Sequence, residues 1–156
     1  MCSESVGFDA LLQPDKFKAG RFCVMKQHGE SLRVAEKVAS LRLKTVLLVY
    51  HRDASRIALK WFLTISGYVV DSVCNGEEAI AVFDPVIHDM VVTDNVMPGM
   101  SAVEMAHIIK LRSPTTPVVM YTGKPPLDSS CLDLVVERSA HMLALKVEMD
   151  RILAEH

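Results

Sequence analysis

Asp94, Thr122 and Arg138 are the residues whose types and spacing could do chemistry together, with Tyr50 and His51 further upstream. Asp94 stands where the apolar run Met90 to Thr93 stops and a loop carrying Pro98 and Gly99 begins. A carboxylate at such a place has three candidate jobs: nucleophile, metal ligand, or cap for the loop that follows. A hydroxyl and a cation beside it would make the first job concrete. The carboxylate attacks a phosphoryl group in line, while hydroxyl and cation bind the oxygens over which charge spreads. Such transfers normally also need Mg2+, held by one or two carboxylates plus waters.

These side chains meet only if a parallel sheet carries them to one edge, and the chain from residue 45 onward has that rhythm. Thr45 to Tyr50 is a continuous apolar run, as a strand covered on both faces requires. Asp53 to Ser66 reads as a helix, with Asp53 as N-cap and Gly67 as stop. Val69 to Cys74 is a second strand, Asn75-Gly76 a turn, and Glu77 to Phe83 a short helix. Met90 to Thr93 is the third strand. Ala102 to Arg112 is an amphipathic helix with Val103, Ala106 and Ile109 or Leu111 on one face, ending before Pro114. Thr116 to Thr122 and Leu134 to Val136 are strands four and five, and Ala140 to Glu155 closes the domain as a helix. Right-handed crossovers between parallel strands give an α/β sheet wrapped on both faces by helices. The ends at Tyr50-His51, Asp94, Thr122 and Glu137-Arg138 then share one edge. Between Thr122 and Leu134 only a short helix fits, because Pro125-Pro126 uses part of the interval.

Residues 1–43 do not join this alternation and read as an extension or linker, with residues 44–156 as the folded domain. Residues 30–41 could form a modest helix bearing Leu32, Ala35 and Val38 or Ala39 on one side.

The second part of the chain resembles the response-regulator receiver domains of two-component signalling. Asp94-Asn95-Val96-Met97-Pro98-Gly99-Met100 matches that family's Asp-x-x-Met-Pro-x-Met signature. Asn75 to Ala79, Val118 to Thr122 and the spacing from His51 to Gly67 agree as well. The resemblance implies a flavodoxin-like, doubly wound five-stranded parallel sheet of order 2-1-3-4-5, here with a shortened fourth helix. It implies Asp94 as phospho-acceptor, and Thr122 and Arg138 as phosphoryl-binding and switch residues. It also implies a phosphorelay role with a histidine kinase or phosphotransfer protein upstream and a signalling protein downstream. A homodimer is left open.

The departures from the family pattern are specific. Tyr50 and His51 occupy the positions of the acidic pair that holds Mg2+, and imidazole serves that ion poorly. Only Asp94 and the backbone of Val96 remain as metal ligands, so Mg2+ binding is expected to be weakened. Arg138 replaces the usual lysine, with a planar fork in place of a compact ammonium. Ser139 replaces the usual proline, Val135 the usual aromatic residue, and Ala102 the usual glycine. The alternative reading is therefore a pseudo-receiver, a protein-interaction module independent of phosphorylation.

Composition supports a packed domain and sets aside several other classes. Half of the residues are hydrophobic. A net charge of −2 speaks against nucleic-acid binding through bulk electrostatics. Cys2, Cys23, Cys74 and Cys131 lack zinc-ligand spacing and suit a reduced, cytoplasmic protein without structural disulfides. No apolar run is long enough to span a membrane. A haloacid-dehalogenase-type phosphatase would need an aspartate where Val96 stands, so no enzymatic activity is expected. Blander roles remain for single residues: Asp94 as a loop cap, Thr122 as a strand residue, and His51 as a polar strand end. Met97, Met100, Met105 and Met120 read as core, and His88, His107, His141 and His156 as surface or helix positions. With the chain ending at its closing helix, a stand-alone receiver is expected to pass its output through a partner near strand five and that helix.

Overall fold

Five parallel strands of four or five residues form the centre of the fold: β1 (Thr45–Val49), β2 (Val69–Val73), β3 (Met90–Thr93), β4 (Val118–Thr122) and β5 (Leu134–Glu137). They lie in the order β2-β1-β3-β4-β5, as expected. This computed structural model describes residues 42–139 and 141–155, so the readings for residues 1–41 lie outside the described residues. Among the described residues three helices connect strands, α1 (Asp53–Ile65), α2 (Gly76–Val82) and α3 (Ala102–Arg112), and α4 (Met142–Glu155) follows β5.

Every residue of β1, β3 and β4 is buried, which explains their uninterrupted apolar sequences. Alternate residues serve opposite faces. On one face Leu48, Tyr50, Val92 and Tyr121 form a cluster with Leu63 of α1 and Met149 of α4. On the other, Leu47, Val49 and Val91 join Phe83, Met105 and Ile109 beneath α2 and α3. Each such side chain contributes about 1.5–3 kcal/mol by leaving water. Met105 and Met120 are fully buried, while Met97 and Met100 pack at the margin of the second cluster.

Several local expectations are corrected. Asp53 is the first helical residue of α1 and its side chain makes no cap; Arg52 occupies the N-cap. Asn75-Gly76 is a helix start instead of a turn, because the Asn75 side chain accepts the Glu78 N–H at 2.7 Å. On α3, Ala106 and Ile109 are buried but Leu111 faces solvent, and Ser101 with Glu104 forms a capping box. His88 is buried, not on the surface. Its Nδ1 accepts the Asp84 N–H at 3.1 Å and its Nε2 lies 3.3 Å from the Asp71 carboxylate.

The shortening expected between β4 and β5 runs to completion: residues 123–133 contain no helix. Pro125 and Pro126 lack the N–H groups a helix needs and bias their predecessors to extended backbone. Asp128 then accepts the Ser130 N–H at 2.9 Å, a local turn that competes with helix formation.

Candidate functional site

The carboxyl ends of β1, β3, β4 and β5 bring Tyr50, Asp94, Thr122 and Arg138 to one edge of the sheet. Asp94 follows β3, its N–H donating to the Val49 carbonyl at 3.3 Å, and the residue is only 5% exposed. One carboxylate oxygen accepts the Asn95 N–H at 2.8 Å. The other lies 3.3 Å from an Nη of Arg138. Arg138 is set by β5, since its own N–H donates to the Thr122 carbonyl at 2.8 Å. Its guanidinium also stands over two rings, 5.7 Å from the centroid of Tyr50 and 5.9 Å from that of Tyr121.

The Tyr50 side chain does not face the loop edge. It follows β1 and is wholly buried, and its hydroxyl donates to the Tyr121 carbonyl across the sheet. Burial raises its phenol well above the ordinary tyrosine range; the Asp94 charge adds to this while Arg138 opposes it. Tyr121 is also raised by burial, against the pull of Arg138. For Arg138, burial works against the charge, but Tyr50, Asp94 and Tyr121 outweigh it and raise the guanidinium further.

His51 contributes an imidazole whose Nδ1 is buried without a hydrogen-bond partner. The acid nearest in sequence, Asp53, is largely exposed and pairs with Arg56, whose Nη1 also holds the Tyr50 carbonyl at 2.9 Å. Thr122 is 1% exposed, and its Oγ1 accepts the Lys124 N–H at 3.2 Å. The Asn95 amide donates to the Lys124 carbonyl at 2.7 Å, tying the loop after β3 to the loop after β4.

Asp94, Val96, Thr122 and Arg138 line a cleft of about 260 Å³. Arg52 and Lys124 line it too, and sequence reasoning missed both. Their signal was position alone, since each lies within three residues of a strand's carboxyl end. The cleft therefore holds one carboxylate and three cations. Among the described residues no three His, Cys, Asp or Glu side chains are grouped to hold a metal ion.

The profile of the response regulator receiver domain matches residues 46–152, with Asp94 at the loop edge of its sheet. The chain belongs to that family. The receiver is 30% identical to the response regulator TrrA of Thermotoga maritima, whose structure was solved with Mg2+ and BeF; the match covers 70% of this chain and 99% of that one, with a TM-score of 0.66. TrrA has also been solved in complex with the histidine kinase ThkA, so receivers of this family pair with histidine kinases. A CheY-like receiver from Methanospirillum hungatei shares the fold at 22% identity and a TM-score of 0.68, over 73% of this chain and 96% of that one. ResD, a transcriptional regulatory protein of Bacillus subtilis, is 33% identical over 82 residues, 52% of this chain and 34% of its own length. A cyclic di-GMP phosphodiesterase of Thermotoga maritima is 36% identical over 79 residues, 51% of this chain but 21% of that protein. The chain thus spans about a fifth to a third of these two relatives. Among the described residues no helix is long and apolar enough to cross a membrane.

The three tyrosines give the folded domain a titration signature, with Tyr50 and Tyr121 at the site and Tyr68 outside it. Tyr50, Tyr68 and Tyr121 are all raised by burial, Tyr68 also by its hydrogen bond to Asp150. An acid raised in the folded state lends stability that is complete below its unfolded value of about 10 and is lost as pH climbs toward the folded value. Ultraviolet titration is expected to show tyrosinate emerging together with loss of far-ultraviolet circular dichroism. Tyrosinate forming with a midpoint near 10 in still-folded protein would contradict the buried arrangement.

Proposed function

We propose that this domain is a receiver module of a two-component system that signals through partner binding, with Asp94 held by Arg138 instead of cycling through a metal-assisted phosphoryl adduct. The observation that carries this reading is the pair of substitutions at the strand ends. Tyr50 turns its hydroxyl into the sheet, and Arg138 supplies the positive charge on Asp94. Mg2+ takes oxygen ligands and is typically held by one or two carboxylates. Asp94 and the Val96 backbone are poor company for it beside Arg52, Lys124 and Arg138, so these residues do not fit the ion. In this reading residues 44–156 are the receiver, residues 1–43 an extension or linker, and the setting is the cytoplasm.

A second reading keeps Asp94 as phospho-acceptor from a histidine kinase or phosphotransfer protein, with weakened Mg2+ binding. Its support is that Asp94 still lines an accessible cleft together with Thr122. Incubation with acetyl phosphate and Mg2+, read by intact mass, separates the two. The first reading expects no adduct beyond that of Asp94→Ala. A labile phosphoryl adduct absent from that variant would overturn it in favour of the second.

A further inference from the structure

Away from the Asp94 cleft, α3 and the turn at residues 128–131 enclose a trough of about 780 Å³. Its apolar surface comes from Met100, Val103 and Ile108, and three carboxylates, Glu77, Glu104 and Asp128, stand along it. No lysine or arginine lines it, in contrast to the cleft at Asp94. The carboxylates are anchored. Glu77 accepts the Met100 N–H at 3.0 Å, Glu104 the Ser101 N–H at 3.0 Å, and Asp128 the Ser130 N–H at 2.9 Å. Those backbone bonds hold the Glu104 and Asp128 carboxyls below the usual carboxylate range, so both stay ionised at neutral pH.

An apolar strip bordered by fixed negative charge selects its occupant by two terms. Desolvation of the strip rewards apolar side chains, and the carboxylates reject anions and attract cations. The trough is open along its length, which suits a chain segment better than an enclosed small molecule. We propose that this trough docks a cationic amphipathic segment of a partner protein, with apolar side chains against Met100, Val103 and Ile108 and lysine or arginine beside Glu77, Glu104 and Asp128. Residues 123–133 contain no helix, and the 128–131 turn stands beside α3. The inference is independent of whether Asp94 is phosphorylated.

Cys131 lines the trough, 3.6 Å from Nδ1 of His107, and serves as its own reporter. Exposed Cys74 is the internal reference. The full chain is alkylated with uncharged iodoacetamide, and peptide mapping reads each cysteine while a synthetic Leu/Lys amphipathic peptide is titrated in. Saturable protection of Cys131 by at least about tenfold is expected, with Cys74 unchanged and protection weaker in high salt. Glu77→Gln with Asp128→Asn keeps both backbone acceptors and is expected to weaken peptide binding by roughly three- to tenfold at an unchanged Tm. Equal protection by a Leu/Glu peptide overturns the proposal, as does no protection at all or equal protection of Cys74. Cys131 reactivity that falls with the protein's own concentration, without peptide, would assign the trough to a second copy and also overturn it.

Discussion

Tyr50→Ala is expected to lower the unfolding free energy by about 3–5 kcal/mol, the range for removing a buried aromatic side chain. The residue is fully buried in the cluster formed by Leu48, Val92 and Leu63 beneath α1 and α4. Its truncation opens a cavity among strands whose backbones are fixed by pairing on both sides, so little collapse can offset the loss. Two further contacts go with it: the hydroxyl bond to the Tyr121 carbonyl and the ring beneath Arg138. Tyr50→Phe keeps the ring and is expected to cost only about 1 kcal/mol, the net worth of a typical hydrogen bond. Trp61, 67% exposed on α1, sets the scale for a large side chain outside the core, and Trp61→Ala should stay within about 0.5 kcal/mol. Urea unfolding followed by circular dichroism measures all three. If Tyr50→Ala costs no more than Trp61→Ala, Tyr50 is not the core residue its burial indicates.

The second large effect concerns the chemistry. Tyr50→Asp combined with His51→Asp is expected to raise Mg2+-dependent labelling of Asp94 by acetyl phosphate on the order of a hundredfold. That factor corresponds to a few kcal/mol of transition-state stabilisation from a correctly held metal ion. The two substitutions supply carboxylate oxygens where the chain has an inward-turned phenol and an imidazole with an unpartnered Nδ1. His51→Asp alone should recover about a tenth of this gain, because one carboxylate leaves the site short of oxygen ligands. Position 50 carries the larger stability cost, so labelling of the double variant belongs alongside a check of its folded fraction. Metal that binds only the folded state offsets part of that cost. A folded double variant that takes no more label than the natural chain would count against a shortage of carboxylate ligands as what limits labelling of Asp94. Label that persists after Asp94→Ala would place it elsewhere.

The expected site was legible where its signals are local. Met90–Thr93 and Ala102–Arg112 have the boundaries that the apolar pattern and Pro114 indicate. Asp94, Thr122 and Arg138 do share one sheet edge, because each follows or ends a strand of a parallel sheet. Errors arose where a short polar group chooses between two local partners. Asn75 caps a helix instead of turning the chain, and Asp53 pairs with Arg56 instead of capping. His88 looked like a surface residue because its partners, Asp84 and Asp71, reach it through a folded-back turn and from β2, two strands away from β3.

By itself the sequence determined the fold class, the order of the elements and the lining up of Asp94, Thr122 and Arg138, since alternation of apolar runs and strand-end positions are properties of contiguous residues. Only the tertiary structure decided which way the decisive side chains turn. Tyr50 reaches a carbonyl 71 residues away, and Arg138 reaches a carboxylate 44 residues away. Neither contact leaves a mark on the neighbouring sequence, because each is set by competition for space and charge among strands that meet only when the sheet has formed.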